Sequence, residues 1–144
     1  MGAGKPFFFD TKRDDSRFAF QRPPYAETKL IYVAQGKIFI VLVDLRAGSA
    51  TFGRWDSVDL SIETPEFLYV PKGIAMGMCT LTDHCSLLYK MDAPYNKGSS
   101  RTIRWNDPDL NIPWPIDEEL ITSEKDSVAP LLKEYLAKDG AVIV

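Results

Sequence analysis

The chain has 144 residues, of which 45% are hydrophobic and 26% are charged. This length and composition predict a single globular domain, residues 1–144, that buries its own core. The net charge of −3 gives no reason to expect a nucleic acid or an anionic membrane as partner. With no long apolar run, no secretory signal and two cysteines, Cys79 and Cys85, the protein is expected to be cytoplasmic.

The middle of the chain consists of short apolar runs. Residues 29–46, KLIYVAQGKIFIVLVDLR, predict two strands, and Gly36 between them predicts a tight hairpin turn. Further strands are predicted, in chain order, at residues 54–62, 66–71, 85–91 and 102–105. Short strands separated by regular turn signals indicate an antiparallel sandwich or barrel.

The end of the chain predicts a helix. Residues 123–140 contain Pro130, which suits a first helical turn, and Gly140, which ends the helix. The expected apolar stripe consists of Leu131, Leu132, Tyr135 and Leu136. The preceding residues 106–119, NDPDLNIPWPIDEE, are expected to form an ordered surface loop with buried Ile112, Trp114 and Ile116.

Several common sites are not supported by the sequence. GAGK at residues 2–5 lacks the full phosphate-loop pattern, and one histidine with two cysteines cannot form the usual zinc site. His84 is expected to be a solvated residue in a turn between strands. Cys79 and Cys85 have no evident base beside them and are expected to be buried structural thiols.

The segment EFLYVPKGIAMGM, residues 66–78, carries a Pro-x-Gly turn between apolar segments. In cupin barrels a histidine three residues after this glycine often binds a metal ion. Here Pro71 and Gly73 are present, but Met76 takes the place of the histidine. Because a thioether is a poor ligand for hard or borderline ions, no metal is expected here.

The order of five motifs identifies a family. GSATFGRWDSVDL (48–60), YVPKGIAMG (69–77), LLYK (87–90), IRWNDPDLNIPWP (103–115) and SEKDSVAPLL (123–132) resemble the dTDP-4-dehydrorhamnose 3,5-epimerase family, known as RmlC. The resemblance spans about residues 16–132. It implies a mainly β fold, a cupin-type antiparallel β-barrel (jelly roll) with a short C-terminal helix. It also implies a homodimer without metal or other cofactor, a nucleotide-linked 4-keto-6-deoxy sugar as ligand, and epimerisation next to the ketone.

The resemblance also assigns site residues. The family's base histidine corresponds to Ala19, in SRFAFQ, and the lysine near the developing oxyanion corresponds to Lys29. Tyr89 corresponds to the catalytic acid, and Asp126 to the aspartate that orients the histidine. The expected substrate-binding positions are Lys29, Gln21, Tyr95, Met76 and Arg17. The N-terminal segment, residues 1–15, is shorter than the family's.

Loss of a general base typically slows a reaction by about 10²- to 10⁴-fold, so the ordinary family mechanism is not expected to operate. Three hypotheses follow. The first is an altered epimerase or isomerase in which Tyr89, with Lys29 or Asp126, transfers a proton at one carbon. The second is a sugar-nucleotide-binding protein without turnover, and the third is a structural cupin. The retained polar residues favour the first two over the third, and retained motifs do not by themselves establish activity.

Overall fold

The computed structural model describes residues 5–10, 17–115 and 129–144, and for residues 5–10 and 17 it describes the backbone. These residues form β1 (Lys5–Asp10), β2 (Arg17–Gln21), β3 (Lys29–Gln35), β4 (Lys37–Asp44), β5 (Trp55–Ser61), β6 (Leu68–Val70), β7 (Ile74–Thr80), β8 (His84–Met91), β9 (Ser100–Arg104) and α1 (Leu132–Asp139). The mainly β fold with a short C-terminal helix is confirmed.

The strands form two antiparallel sheets. One sheet has four strands in the order β1-β8-β3-β6, and the other has five in the order β5-β4-β7-β2-β9. Strands that are neighbours in a sheet are mostly distant in sequence, as in a jelly roll, where the chain passes back and forth between two sheets. The predicted antiparallel sandwich or barrel is therefore confirmed.

The predicted hairpin at Gly36 is wrong. β3 pairs with β6 and β8, whereas β4 pairs with β5 and β7, so the two strands lie in different sheets. Gly36 has the expected positive φ of 78°, but it forms the corner at which the chain changes sheets. A Cβ here would lie 2.3 Å from the backbone oxygen of His84, which excludes any side chain at this corner. The sequence correctly predicted a turn with positive φ at Gly36. It did not reveal which strands β3 and β4 pair with.

Two hydrophobic clusters hold the fold together. The inner core contains side chains from both sheets, including Ile31 and Leu87 from one and Ile40 and Met76 from the other, so it lies between them. The outer core covers the other face of the five-stranded sheet and includes Phe18 together with residues of the C-terminal segment. Because the side chains of a strand alternate between faces, β4, β5 and β7 of this sheet contribute to both cores.

Three strands were not predicted, namely β1, β2 and β7. β2 has five residues, and β7 contains Gly77, which weakens a strand by intrinsic propensity. β7 nevertheless lies between β4 and β2 in the five-stranded sheet, where it is largely buried. Packing on both faces overrides propensity in such a position.

The helix begins later than the sequence suggested. α1 starts at Leu132 with Leu131 at the N-cap, so Pro130 lies outside the first turn, and that prediction is wrong. The start is set by Asp107, which is 1% exposed and whose Oδ2 accepts a hydrogen bond of 2.6 Å from the Leu132 amide. A carboxylate at a helix N-terminus satisfies a free amide and complements the helix dipole. The predicted end at Gly140, with φ of 73°, is confirmed.

The loop after β9 is ordered, as expected. Trp114 donates a hydrogen bond of 2.9 Å to the Trp105 carbonyl and packs against Phe18 and Phe39. Ile112 also packs against the outer core, and Ile116 lies outside the described residues. Ile112 and Trp114 are partly buried against the outer core, and this packing holds the loop in place, as the sequence predicted.

The corner after β4 is organised by Asp44, a buried carboxylate. Arg46 donates two hydrogen bonds to it, of 3.0 and 2.9 Å, and the Ser49 and Thr51 hydroxyls donate to the same carboxylate. Burial acts to raise the pKa of Asp44, but these hydrogen bonds outweigh it and hold the pKa well below its usual range. The charged form of Asp44 therefore stabilises the fold.

This carboxylate should control part of the acid denaturation of the protein. The Asp44 pKa is lower in the folded chain than in the unfolded chain, where it is about 3.9. Its stabilisation is thus complete above that pH and is lost as the pH falls towards the folded-state value. Urea unfolding at a series of pH values should show a steep acid limb for the wild type and a flatter one for Asp44→Asn. Parallel limbs would contradict the assignment.

Candidate functional site

The two positions at which histidines were expected are direct neighbours. Ala19 on β2 pairs with Met76 on β7, and on its other side with Thr102 on β9. Phe18 and Phe20 belong to the outer core, so alternation turns Ala19 towards the inner face, where Met76 joins the inner core. Ala19 is nevertheless exposed, which means that the space between the sheets is open to solvent at this point.

Lys29 and Tyr89 lie on the facing sheet. Lys29 on β3 pairs with Met91 on β8, and Tyr89 pairs with Ile31, so Lys29 and Tyr89 are diagonal neighbours on one face. Such neighbours are about 7–8 Å apart, within reach of long side chains. Tyr89 packs against the inner core. The structure therefore places Ala19, Met76, Lys29 and Tyr89 around the same interior, here called the candidate pocket.

Lys29 has a charged partner that sequence reasoning missed. Its Nζ lies 3.4 Å from Oε1 of Glu27, and the two side chains are 11% and 6% exposed. Glu27 Oε2 is a buried oxygen that has no hydrogen-bond partner among the described residues. In the sequence, Glu-x-Lys at the start of a strand looks like two solvated charges. Only the burial of both side chains distinguishes them from an ordinary surface pair.

The tyrosine is suited to donate a proton. Burial raises the pKa of Tyr89 above its ordinary value of about 10, so its hydroxyl stays protonated at neutral pH. A protonated phenol can act as a general acid, and very little phenolate is present to act as a base. This matches the acid role that the family resemblance implies for Tyr89.

Gln21 has a structural task at the edge of the pocket. Its amide nitrogen donates to the carbonyls of Tyr25 and Pro94, at 2.9 and 3.0 Å, and its oxygen accepts from the Asn96 amide at 2.6 Å. Both of its N–H donors are therefore occupied by backbone groups. Gln21 therefore connects the segment at Tyr25 with the segment at residues 94–96. Its contact with substrate stays a prediction. The same holds for Tyr95, which is 71% exposed.

Some predicted residues cannot be placed. Asp126 lies outside the described residues, and the side chain of Arg17 is not among those described, although its backbone opens β2. His84 is exposed at the start of β8, rather than within the preceding turn. Cys79 and Cys85 are buried and not joined in a disulfide, and the prediction of buried thiols is confirmed.

Within the described ranges, no three His, Cys, Asp or Glu side chains are placed to hold a metal ion. No helix in the described part of the chain is long and apolar enough to cross a membrane. Around the candidate pocket, Lys29 offers an ammonium, Tyr89 a phenol and Glu27 a carboxylate. An ammonium stabilises a developing oxyanion, and a phenol returns a proton to carbon.

The sequence of the chain matches known proteins over most of its length. Residues 18–134 match the family described as dTDP-4-dehydrorhamnose 3,5-epimerase. An enzyme of that name from Sinorhizobium fredii is 43% identical over 115 residues, which cover 80% of this chain and 59% of the relative. The chain thus spans about three fifths of the length of that relative.

Solved structures show the same fold. The 3,5-epimerase RmlC of Legionella pneumophila, in complex with dTDP-4-keto-L-rhamnose, is 34% identical with a TM-score of 0.72, covering 90% of this chain and 69% of that one. A 3'-monoepimerase from Streptomyces bikiniensis, in complex with dTDP-quinovose, is 26% identical with a TM-score of 0.84, covering 99% and 71%. Since the family match extends from β2 into α1, this chain belongs to the dTDP-4-dehydrorhamnose 3,5-epimerase family.

Proposed function

We propose that this protein binds a nucleotide-linked 4-keto-6-deoxy sugar between its two sheets and transfers a proton at one carbon next to the ketone. The observation that carries the proposal is the placement of Lys29 and Tyr89 as diagonal neighbours facing the interior. The ligands of the Legionella and Streptomyces relatives support a deoxysugar nucleotide. The second relative is a monoepimerase, which supports reaction at one carbon.

The retained residues account for two parts of such a reaction. When the C–H bond next to a ketone breaks, its electron pair moves into a new C=C bond and the ketone oxygen becomes an enolate. The Lys29 ammonium stabilises this negative charge. Tyr89, protonated because burial raises its pKa, returns a proton to the carbon. Asp126 stays a predicted participant.

Ala19 cannot accept the first proton, because a methyl group has no basic atom, so that proton passes to water or hydroxide, which reaches the interior at the exposed Ala19. The Tyr89 phenolate is scarce at neutral pH, since burial raises the pKa of the group. Turnover is therefore expected to be about 10²- to 10⁴-fold slower than with a histidine base. Slow exchange at one carbon is the activity that the described residues support.

A second candidate is binding without turnover. It is favoured by the pair Ala19 and Met76, which places two apolar side chains side by side where the family has histidines. In this case Lys29 and Tyr89 bind the sugar through charge and a hydrogen bond, and no carbon is deprotonated. The two candidates differ in one measurable property, namely the exchange of a carbon-bound proton with solvent.

The test is proton NMR of the protein with dTDP-4-keto-6-deoxyglucose in D₂O, observing the signals of C3 and C5. The altered enzyme predicts deuterium incorporation at one carbon above a buffer blank, and its loss by about 10²-fold or more in Tyr89→Phe. Line broadening without incorporation supports the binding protein. Incorporation at both carbons would contradict the inference drawn from Ala19. If neither deuterium incorporation nor line broadening is observed, the ligand class is rejected.

The assembly is proposed to be a homodimer in the cytoplasm, as the family resemblance suggests. The outer face of the four-stranded sheet supports a partner, because it exposes a row of apolar side chains: Leu30, Leu88, Phe67 and Tyr69. An exposed apolar surface of this kind is typical of an interaction site. The two thiols, which are not joined in a disulfide, are consistent with a reducing compartment.

A further inference from the structure

We propose that Glu27 is a positioning residue for Lys29. Its carboxylate holds the Lys29 ammonium in a fixed place beside the candidate pocket, where a ligand's ketone oxygen would meet it. The proposal deepens the proposed function, on which it rests for the identity of the ligand. The pairing of the two residues does not depend on any ligand.

The contact differs from an ordinary surface ion pair. Lys29 and Glu27 approach to 3.4 Å with side chains that are 11% and 6% exposed. Lys37 and Asp59, on the surface, approach to 3.8 Å with side chains that are 46% and 53% exposed. Coulomb attraction is stronger where water is excluded, so the buried pair is strongly coupled whereas the surface pair is screened.

The backbone between the two residues is held in place. The Thr28 amide donates a hydrogen bond of 2.7 Å to Oδ1 of Asp92, and its carbonyl accepts one of 3.4 Å from the Asp92 amide. This contact fastens the start of β3 to the end of β8. The backbones of Lys29 and Glu27, on either side of Thr28, are therefore fixed relative to β8, which carries Tyr89. The position of the Lys29 side chain then depends on its contact with Glu27.

The buried oxygen Oε2 of Glu27 indicates that this residue has a role other than packing. In the described part of the chain, Glu27 Oε2 is the buried side-chain oxygen without a hydrogen-bond partner. A buried polar atom without a partner is unfavourable, and an apolar side chain would pack here without that penalty. What a carboxylate adds is a negative charge 3.4 Å from the Lys29 ammonium.

The other titratable groups near Lys29 do not replace this charge. Tyr89 is the diagonal neighbour of Lys29 on β8, and burial raises the pKa of Tyr89, so that side chain is uncharged at neutral pH. Asp92 follows β8, and its carboxylate is engaged by the Thr28 amide. Among the described residues, Glu27 is the carboxylate in contact with Lys29. Without it, the Lys29 ammonium would have no carboxylate partner among the described residues to hold it in place beside the candidate pocket.

The first experiment needs no ligand. The folded protein is treated with a limiting amount of an acetylating reagent between pH 7 and 10, and labelling of Lys29 relative to Lys37 is followed by mass spectrometry. In the wild type the Lys29 amine is paired with Glu27 and its side chain is 11% exposed, so Glu27→Gln, which releases the amine, should raise labelling of Lys29 by about tenfold. Glu27→Asp, which keeps the charge, should restore most of the protection. Equal labelling of wild type and Glu27→Gln overturns the proposal.

A matched control separates this effect from general loosening of the fold. Arg101 and Asp139 form another ion pair, at 3.1 Å, between β9 and α1 on the outer side of the five-stranded sheet. Asp139→Asn removes one charge from that pair and should leave labelling of Lys29 unchanged. If it raises Lys29 labelling as much as Glu27→Gln does, the effect is not specific to the pairing and the proposal fails.

The second experiment uses the sugar nucleotide. Glu27→Gln should weaken binding of dTDP-4-keto-6-deoxyglucose, and slow any deuterium exchange, by about tenfold, because the ammonium is no longer held in place. In a Lys29→Met background the same change should have no further effect, because Glu27 acts through Lys29. An equal loss in both backgrounds overturns the proposal. If the wild type neither binds nor exchanges, the proposed function fails, and the labelling result still decides the role of Glu27.

Discussion

Replacing Ala19 with histidine is expected to increase deuterium exchange next to the sugar ketone by about 10²- to 10⁴-fold, the usual contribution of a general base. Ala19 lies on the inner face of β2, directly opposite Met76, and is exposed to the open interior. An imidazole at this position would extend into the space that Lys29 and Tyr89 face from the other sheet. Exchange is measured by proton NMR in D₂O on the purified variant.

The matched control for this variant is Lys90→His, which also adds one histidine. Lys90 neighbours Tyr89 on β8 but is exposed on the opposite face of the sheet, so its imidazole cannot enter the interior. It should leave exchange at the wild-type rate. An Ala19→His variant that binds the sugar nucleotide without faster exchange would show that the ketone lies out of reach of this position.

Replacing Phe18 with alanine is expected to destabilise the fold by about 3–5 kcal/mol. Phe18 is fully buried in the outer core, and its ring lies 5.8 Å from that of Trp114. Gly77 lies directly against this ring, since a Cβ at Gly77 would come within 2.9 Å of it. Because the surrounding strands cannot collapse into the space left, the variant retains a cavity. The loss is a large share of a typical stability of about 5–15 kcal/mol.

Urea unfolding measures this effect, with Ile143→Ala as the control. Ile143 is 75% exposed, so its truncation should change the free energy of unfolding by less than about 1 kcal/mol. A Phe18→Ala variant as stable as the Ile143→Ala variant would contradict the assignment of Phe18 to a rigid core. The same comparison would show whether the outer core supports β2, which carries Ala19 on its other face.

Sequence patterns predicted the strands best where one face is buried. Strands β3, β4, β5, β8 and β9 were predicted with bounds close to those observed, because their apolar residues are β-branched or alternate with polar ones. The same local signals could not predict pairing. At Gly36 the sequence shows only a need for positive φ, and this is the same for a hairpin and for a corner between sheets.

The boundaries of the helix illustrate a second limit. Its end at Gly140 depends on a local conformation, which a glycine in the sequence reveals. Its beginning depends on Asp107, 25 residues earlier, whose carboxylate accepts a hydrogen bond from the Leu132 amide. No local rule connects these two positions, so Pro130 was wrongly placed in the first turn.

By itself, the sequence determined the fold class, the family and the identity of the residues at the candidate site, including Ala19 where a base was expected. These properties follow from short-range patterns and from motifs of fixed spacing. Only the tertiary structure decided which residues meet: it set Ala19 against Met76, brought Lys29 beside Tyr89, and buried Glu27 next to Lys29. The physical reason is that burial and cross-strand contact depend on how the two sheets pack, and a charge changes its role when water is removed from it.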